Sequence, residues 1–416
     1  MKVAIISDHA AQGGAAIACN RLAAALAAHG AEVRRFSLDR GPRPKMPHGV
    51  DFASQPFGRR AAGVVDALQA FGFSKAARGL RLRDGRRGLF RAVAEWQPDI
   101  VNLHNLHGFD ADFHTADSLA AIAPIVWTLH DMWSFTGRCS YSFECRRFER
   151  GCSAECPTPD EYPALGRQHI AASWEKRAAF FKTQRKVAAV TPSRWLAEEA
   201  RRGLWREHVV ETIPYSLDLA VYSPVDPAIA RLALGLPPRD RPTFLFAAEY
   251  LKERRKGGPL ATAALAACRS EIDVWTLGHG DFTALPPNVR TRSLGYIGDE
   301  RTKALVYSAA DFLVHPAPID NFPNTIVESL SCGTPVIGFN TGGIPEMLTT
   351  AESGSIIASM TAEALASAIE LAATQSPASP ERRQAVRAAA AALFDPARQA
   401  TSYLTLFHKL TDARTS

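Results

Sequence analysis

The chain has 416 residues, of which 46% are hydrophobic and 22% are charged, and its formal net charge is +6. A chain of this length exceeds what one hydrophobic core usually serves, so two domains are expected. The composition lies in the ordinary globular range. The mild basic excess suits an anionic ligand or an anionic surface, and no nucleic acid is expected as a partner.

The first residues differ from a signal peptide, because the apolar run 3–6 is short and ends in Ser7, Asp8 and His9. No apolar stretch of the sequence approaches the length that a membrane-spanning helix needs. We therefore expect a cytoplasmic protein whose cysteines are mostly reduced.

Strands and helices are predicted to alternate along the first half. Residues 3–6 are expected to form a buried strand, followed by Gly13, Gly14 and an alanine- and leucine-rich helix that ends near His29, with Gly30 just past its end. Further strands are predicted at residues 32–38, 100–103, 125–129, 187–190 and 209–213. This alternation is typical of a doubly wound parallel sheet.

The alternation restarts after residue 240. Strands are predicted at residues 243–250, 273–278, 311–317 and 335–340, and helices at 257–268, 299–309 and 325–331. The proline-rich residues 223–242 fit a connection between domains. We therefore predict an α/β protein with two Rossmann-like, doubly wound domains, residues 1–214 and 215–395, that face a central cleft. Ligands of such sheets bind beyond the carboxyl ends of the strands.

The strongest functional pattern lies in residues 315–348. A helix is predicted to begin there, so that the backbone N–H groups of Asn324 and Thr325 point into the cleft. A helix N-terminus of this kind binds phosphate readily. Gly342 and Gly343 would let the backbone come close to a bound ligand.

Basic residues follow the first strand of the second half. Arg254, Arg255 and Lys256 precede Gly257 and Gly258 in a strand-to-helix loop, which is where a Rossmann-type domain receives phosphates. Fixed cations at this place would neutralise a diphosphate. A solvated charge run is the alternative, and the position in the loop favours phosphate binding.

Asp320 is predicted in a loop, and Glu328 lies one or two turns into the following helix. This spacing does not suit a general acid–base pair. It suits two carboxylates that accept hydrogen bonds from separate sugar hydroxyls. The alternative is a helix N-terminal charge for Asp320 and a solvated side chain for Glu328.

With these motifs, the chain resembles the family 4 retaining glycosyltransferases of the GT-B fold. Residues 315–348 match the family's donor-site signature, and "GG" at 13–14, "RKGG" at 255–258, "HDMW" at 130–133 and the late aromatic helix "SYLTLFHKL" match it too. The resemblance is closest to members that make bacterial exopolysaccharides such as colanic acid, which also carry a cysteine-bearing insertion after "HDMW". It implies that a C-terminal helix at about residues 396–416 packs back on the first domain.

The resemblance implies transfer of a sugar from a nucleoside-diphosphate sugar to a glycan or lipid-linked acceptor, with retention at the anomeric carbon and no cofactor required. Glu328 would hold the donor ribose, and Asp320 and His130 would contact the transferred sugar. The residues implied to contact the diphosphate of the donor are Gly13, Gly14, Arg255, Lys256, Asn324 and Thr325. Tyr296 and Ile297 are implied to contact its base.

Two departures from the family pattern concern this donor site. The family usually has glutamate where Asp320 stands, which leaves the identity of the donor sugar open. Its phosphate-loop arginine normally lies near Leu251, so that Lys252 or Arg254 substitutes for it here, or Arg255 acts alone.

His130 follows the predicted strand 125–129, which places it at a carboxyl end and facing the cleft. A lone histidine is more often structural than catalytic, and the position of His130 together with the family match favours an active-site role. His104 and His107 have a similar position after the strand 100–103. For these two histidines, roles in the core or in an acceptor loop are equally open.

Four of the seven cysteines lie within residues 139–156, namely Cys139, Cys145, Cys152 and Cys156. Their spacing lacks the paired C-x-x-C of common zinc ribbons. A structural zinc with four thiolate ligands would stabilise a loop that is too small to bury a core of its own. We favour this zinc site slightly over two disulfides. The third interpretation is that the four residues are ordinary buried cysteines.

Other functions remain open. Asp110 and Asp112 have the spacing with which other glycosyltransferases hold a divalent metal and a donor diphosphate, so a metal-dependent transferase is one alternative. A GT-B-fold nucleotide-sugar epimerase or hydrolase would share the architecture, but an epimerase would need further acid–base groups. A non-enzymatic two-lobed binding protein would be expected to carry a secretion signal.

Residues 58–91 are rich in arginine, interleaved with leucine and phenylalanine. This pattern predicts a basic amphipathic surface that binds the anionic inner face of a membrane peripherally, where a lipid-linked acceptor would be found. A solvated helix that covers the sheet is the alternative.

Overall fold

The computed structural model describes residues 1–37, 44, 46–47, 49–53, 64, 74–107, 113–375 and 377–412. The chain divides into two compact units. Unit 1 contains Met1–Ile213 and Ala397–Ser416, and unit 2 contains Pro214–Pro396.

Unit 1 is built on a parallel sheet whose strand order is β3-β2-β1-β4-β5-β6-β7. Its strands are β1 (Lys2–Ser7), β2 (Glu32–Ser37), β3 (Asp51–Phe52), β4 (Ile100–Leu103), β5 (Ile125–Thr128), β6 (Val187–Thr191) and β7 (Val209–Thr212). Its helices are α1 (Gly14–Ala28), α2 (Ser74–Trp96), α3 (His114–Ala120), α4 (Arg167–Thr183), α5 (Arg194–Arg202) and the C-terminal helix (Pro396–Asp412).

Both faces of this sheet are covered. Along β1, Val3 and Ile5 pack with α1 and with Tyr403 of the C-terminal helix, while Ala4 and Ile6 belong to the hydrophobic cluster on the other face. Successive side chains of a strand point to opposite faces, so a strand covered on both sides is apolar throughout. The C-terminal helix therefore packs on unit 1.

Unit 2 contains a second parallel sheet, with the strand order β10-β9-β8-β11-β12-β13. Its strands are β8 (Thr243–Tyr250), β9 (Ile272–His279), β10 (Val289–Ser293), β11 (Phe312–His315), β12 (Val336–Phe339) and β13 (Gly354–Ile357). Its helices are α6 (Pro227–Ala233), α7 (Gly258–Ala267), α8 (Glu300–Ala309), α9 (Asn324–Ser331), α10 (Ala362–Ala373) and α11 (Pro380–Leu393). The predicted fold class, an α/β protein with two Rossmann-like doubly wound sheets, is confirmed.

The direction of strand order reverses at one place in each sheet, between β1 and β4 in unit 1 and between β8 and β11 in unit 2. Loops on either side of such a switch point leave a crevice beyond the carboxyl ends of the strands. The loops that follow these four strands are therefore where each unit is expected to bind its ligand.

The prediction that residues 223–242 connect the domains is wrong. Those residues lie inside unit 2, where Asp226 caps α6 and Pro227 occupies its first turn. Arg231 of α6 donates hydrogen bonds to the carbonyl of Ala309 and to Thr243 Oγ1. Proline is favoured in the first turn of a helix, so these prolines mark helix starts and turns and not a linker.

Among the described residues, no helix is both long enough and apolar enough to cross a membrane.

Candidate active site

The loop after β8 contacts the loop after β11 across the switch point of unit 2. Arg254, Arg255 and Lys256 form a single helical turn, and Gly257 follows with φ of 79°. A Cβ atom on Gly257 would lie 1.9 Å from the carbonyl oxygen of Pro316. Only glycine combines this left-handed conformation with so close an approach, so the glycine holds the basic loop against the β11 loop.

Asp320 lies in the loop after β11, and basic side chains of the loop after β8 lie next to its carboxylate. Its Oδ2 atom is 2.7 Å from Lys256 Nζ, 3.9 Å from Arg255 Nη1 and 3.6 Å from His315 Nε2. Burial alone would raise the pKa of Asp320, but Lys256, His315 and Arg255 outweigh burial and hold this pKa well below its usual range. Asp320 is therefore a buried carboxylate that stays ionised beside a cluster of basic groups.

The glycine turn after β12 fixes the backbone of Asp320. Gly343 N donates a hydrogen bond to the Asp320 carbonyl oxygen at 3.1 Å. Gly342 has φ of 57°, and a Cβ atom there would lie 1.9 Å from the same oxygen. The two glycines were expected to admit a ligand. In the structure, Gly342 admits the backbone of Asp320 itself.

Helix α9 begins at Asn324, one residue before the predicted range, and the residue in front of it, Pro323, makes no capping side-chain hydrogen bond. Pro323 precedes it in an extended conformation. Thr325 Oγ1 lies 3.5 Å from His315 Nδ1, which ties the start of the helix to the end of β11. The partial positive charge of a helix N-terminus is thus next to the basic cluster.

Glu328 is a buried residue of α9, so the alternative of a solvated side chain is wrong. Its Oε2 atom accepts a hydrogen bond from Tyr307 OH at 3.0 Å, and Lys303 Nζ lies 3.5 Å from Oε1. Burial and the neighbouring carboxylate raise the pKa of Tyr307 well above its usual value, so its hydroxyl keeps its proton and donates. Lys303 and Tyr307, one turn apart on α8, hold the carboxylate in place and were not identified from the sequence.

Three aromatic rings form a row at the carboxyl edge of unit 2. Tyr296 is exposed and stacks on His279 with a centroid distance of 5.3 Å and an interplanar angle of 1°. His279 also stacks on Tyr250 at 5.5 Å. The neighbouring Ile297 is partly buried. The sequence indicated Tyr296 and Ile297 alone, although Tyr250 ends a predicted strand and His279 directly follows one, so that both could have been found by position.

Three histidines lie just after the carboxyl ends of β4 and β5 in unit 1, namely His104, His107 and His130. His104 Nδ1 lies 2.8 Å from His130 Nε2, and both rings are buried. His107 Nε2 lies 3.1 Å from Asp131 Oδ2. Burial lowers the pKa of His130 to about 4, whereas Asp131 outweighs burial and raises the pKa of His107. Gly13, the residue before α1 and beyond β1, has φ of 84°.

The four cysteines of residues 139–156 line a single small cavity, together with Gly137, Arg138 and Arg147. All four are free thiols, and the backbone N–H of Gly137 donates a hydrogen bond to Cys152 Sγ at 3.1 Å. Burial raises the pKa of Cys139 to about 11 and that of Cys152 to about 12. Across the described part of the chain, no group of three or more His, Cys, Asp or Glu side chains has the arrangement needed to hold a metal ion. Zinc binding therefore stays a prediction.

Asp110 and Asp112 lie outside the described residues, as does much of the basic segment 58–91. Of that segment, the end of α2 is described, and Arg87 and Arg91 are exposed on it while Leu89 is buried.

Comparison with known proteins assigns these features to a family. A model of glycosyltransferase family 4 matches residues 12–221, and a model of glycosyl transferases group 1 matches residues 241–375. The candidate colanic acid biosynthesis glycosyl transferase WcaC of Escherichia coli K12 is 26% identical over 275 residues, which cover 62% of this chain and 64% of WcaC. The D-inositol 3-phosphate glycosyltransferase of Mycolicibacterium gilvum is 30% identical over 174 residues, 38% of each chain. The chain thus spans less than two thirds of the length of these relatives.

Solved structures share the fold along the whole chain. Sucrose-phosphate synthase from Thermosynechococcus elongatus superimposes with a TM-score of 0.70 at 20% identity and covers 99% of both chains. HepE of Anabaena, solved with UDP and glucose, gives a TM-score of 0.64 at 15% identity and covers 98% of this chain and 99% of its own. At these identities the likeness establishes the fold.

Proposed function

Since the chain belongs to glycosyltransferase family 4, we propose that it transfers a sugar from a nucleoside-diphosphate sugar to a glycan or lipid-linked acceptor in bacterial polysaccharide assembly. Family membership comes from the model that spans residues 12–221, about half of the chain. The colanic acid relative and the sugar-nucleotide complexes of HepE support the pathway and the donor class.

One observation carries the proposal. At the switch point of unit 2, Lys256 and Arg255 converge on Asp320, four residues before the N-terminus of α9. Cations and helix N–H groups fixed at one place form a site for a diphosphate. The carboxylate beside them suits the hydroxyls of the sugar that this diphosphate carries.

The chemistry follows from that arrangement. Breaking the bond between a sugar and a diphosphate develops positive charge on the sugar and negative charge on the leaving oxygen. Lys256, Arg255 and the first N–H groups of α9 would stabilise the leaving diphosphate, and such preorganised charge is usually the largest contribution to catalysis. We propose that protein cations take this role without a metal ion, and that the sugar is transferred with retention.

The other donor contacts are assigned by position. Glu328 is an ionisable carboxylate whose oxygens are already oriented by Tyr307 and Lys303, which suits an acceptor for the ribose hydroxyls. The exposed row formed by Tyr250, His279 and Tyr296 lies at the same carboxyl edge of the sheet, where Tyr296 and Ile297 are proposed to contact the base. In unit 1, His130 is proposed to contact the transferred sugar and the Gly13–Gly14 turn to contact the diphosphate.

A lipid-linked acceptor would require binding at the cytoplasmic face of the inner membrane. The exposed Arg87 and Arg91 of α2 support a basic surface there. Each basic residue near an anionic membrane contributes about 1 kcal/mol, so binding should be reversible and should weaken as salt rises. Co-sedimentation with anionic and with neutral vesicles tests this: equal binding to both would leave α2 as an ordinary solvated helix.

The experiment that tests the function is an assay of purified protein with a panel of nucleoside-diphosphate sugars and bacterial lipid-linked or glycan acceptors, with and without EDTA. The proposal expects acceptor-dependent release of nucleoside diphosphate that survives EDTA, and an anomeric configuration in the product equal to that in the donor. Loss in EDTA that Mg²⁺ or Mn²⁺ restores would favour the metal-dependent alternative of Asp110 and Asp112. A changed sugar nucleotide without any acceptor would favour an epimerase or hydrolase.

In this assay Lys256→Ala should lower kcat by roughly a hundredfold, as expected for a preorganised cation at the leaving group. Arg269→Ala is the matched control, because Arg269 is an exposed arginine of the same unit that lies past the far end of α7, away from the basic loop. Unchanged transfer by Lys256→Ala would remove the donor-site assignment.

A further inference from the structure

A chain of hydrogen bonds runs through the interior of unit 1 from the C-terminal helix to His130. Tyr403 OH lies 2.9 Å from Thr128 Oγ1, and Thr128 Oγ1 accepts a hydrogen bond from Asn102 Nδ2 at 3.0 Å. Asn102 Oδ1 lies 2.9 Å from His104 Nε2, and His104 Nδ1 lies 2.8 Å from His130 Nε2. All five side chains are buried.

The partners of Asn102 decide which way each bond points. Its Nδ2 group lies 2.8 Å from the carbonyl oxygen of Val126, which can only accept, so the amide nitrogen faces Val126 and the amide oxygen faces His104. His104 Nε2 must then carry a proton and donate it to Asn102. In a neutral ring the other nitrogen, His104 Nδ1, is an acceptor. The bond between the two histidines is therefore donated by His130 Nε2.

The surroundings keep both rings neutral. Burial, His130 and Arg35 lower the pKa of His104 well below its usual value. Around His130, burial and His107 lower the pKa, while Asp131 acts in the opposite direction and does not prevail. The backbone of His104 is held as well, since Trp127 Nε1 donates a hydrogen bond to its carbonyl oxygen at 3.0 Å.

We propose that His104 is a positioning residue for His130: held by Asn102, it fixes the His130 ring with its proton on Nε2 and with Nδ1 as the acceptor. Anchoring through Thr128 and Tyr403 gives the returning C-terminal helix a part in this arrangement. The catalytic meaning of the inference rests on the proposed function, in which His130 contacts the transferred sugar. A histidine fixed in this state is neutral and does not act as an acid.

The direction of the bond can be measured without any substrate. In full-length protein labelled with ¹⁵N-histidine, an N–H···N bond gives a coupling between its two nitrogens, and the signals of His130 are assigned by their loss in His130→Asn. The proposal expects a coupling between His130 Nε2 and His104 Nδ1, with the proton attached to His130, from pH 6 to pH 8. No coupling, or a proton attached to His104 Nδ1, would overturn it.

The positioning role is tested by kinetics in the sugar-transfer assay. His104→Leu should lower kcat about tenfold or more, as removal of an orienting partner commonly does, and should leave the donor KM within about threefold. His104→Asn should recover most of this loss, because its amide oxygen can take the place of Nδ1. His104→Gln should not recover it, because its longer amide reaches the Nε2 position instead. His208→Leu, which removes a partly buried histidine bonded to the Phe181 carbonyl in the same unit, is the matched control.

The outcomes separate the two claims. Full activity in His104→Leu, or equal losses in His104→Asn and His104→Gln, would overturn the positioning role even if sugar transfer is established. If His104→Leu does not fold, the difference in kcat between His104→Asn and His104→Gln still tests the positioning role. Absence of sugar transfer in the wild-type protein would count against the proposed function and the positioning role together, whereas the nitrogen coupling would still establish the bond.

Discussion

Lys256 Nζ and Asp320 Oδ2 lie 2.7 Å apart, joining the loop after β8 to the loop after β11. These strands are neighbours at the switch point of the unit 2 sheet, although the two residues are 64 positions apart in the chain. The pair brings a cation suited to a phosphate next to a carboxylate suited to a sugar hydroxyl. Neither residue would indicate a donor site alone, and we propose that the bond between sugar and phosphate lies beside the pair.

Replacement of Glu328 should separate stability from activity. Glu328→Ala leaves Tyr307 OH and Lys303 without their buried partner, which should lower the free energy of unfolding by about 1–3 kcal/mol. Glu328→Gln keeps an oxygen that can accept from Tyr307, so its loss should be smaller. Both variants remove the charge proposed to bind the ribose, and both should lose most sugar transfer. Urea unfolding and the transfer assay measure the two effects. Wild-type activity in Glu328→Gln would contradict the ribose assignment.

Gly342→Ala should destabilise unit 2 by about 2–5 kcal/mol, because alanine disfavours the left-handed conformation and its Cβ would clash with the Asp320 carbonyl. Gly235 has φ of 64°, and a Cβ atom there would have no neighbouring atom within 4 Å, so Gly235→Ala isolates the backbone contribution. Chemical denaturation should show a clearly larger loss for Gly342→Ala. Equal losses in the two variants would show that close approach to Asp320 is unimportant.

The buried histidines make stability depend on pH. His130 has a pKa of about 4 in the folded chain, against about 6.5 for an ordinary histidine in the unfolded chain. Between these values the unfolded chain binds more protons, so the free energy of unfolding should fall as the pH falls from 7 towards 4. A single such group accounts for about 2 kcal/mol between pH 7 and pH 5.

Urea unfolding at these two pH values, with His130→Gln beside the wild type, measures that share. The variant should lose part of the pH dependence, whereas His408→Gln, at an exposed position of the C-terminal helix, should retain all of it. An unchanged pH dependence in His130→Gln would mean that His130 does not remain neutral in the folded protein.

The four-cysteine cavity is predicted to bind about one zinc per chain, because four thiolates suit tetrahedral zinc. Elemental analysis should show the metal in the wild type and in Cys268→Ser, whose cysteine lies elsewhere, and its loss in Cys139→Ser and Cys152→Ser. A metal-free protein with oxidised pairs in mass spectrometry would favour two disulfides. A metal-free protein with four free thiols would show that these residues are ordinary buried cysteines.

The sequence predicted the interior strands well, because β1, β4 and β8 are apolar runs with turns on either side. It did not indicate β10 or β13, which lie at the edges of their sheet and bury few of their residues. Such strands depend on pairing with a neighbour and carry little hydrophobic pattern of their own. The same limit explains the misassigned residues 223–242, where prolines at helix starts resembled a linker.

For the candidate site, the sequence indicated residues that lie in recognisable loops, such as Lys256 and Asp320. It did not indicate Tyr307, which reaches Glu328 from another helix, or the bond between His104 and His130. Those contacts arise when separate strands and helices pack together, and no local pattern records them. The physical origin of the low pKa of Asp320 likewise became visible only when its cationic neighbours were in place.

The most direct test of the donor site is calorimetric titration with the diphosphates of uridine, adenosine, guanosine, cytidine and thymidine. The wild type should bind at least one of them. Removing both cations in Arg255→Ala/Lys256→Ala should weaken that binding about tenfold or more, since hydrogen bonds to charged groups are worth about 1.5–3 kcal/mol each. Arg269→Ala, which removes an exposed arginine elsewhere in unit 2, should bind as the wild type does. No binding by the wild type, or the same affinity in the double variant, would contradict the assignment of unit 2 as a nucleotide-sugar site.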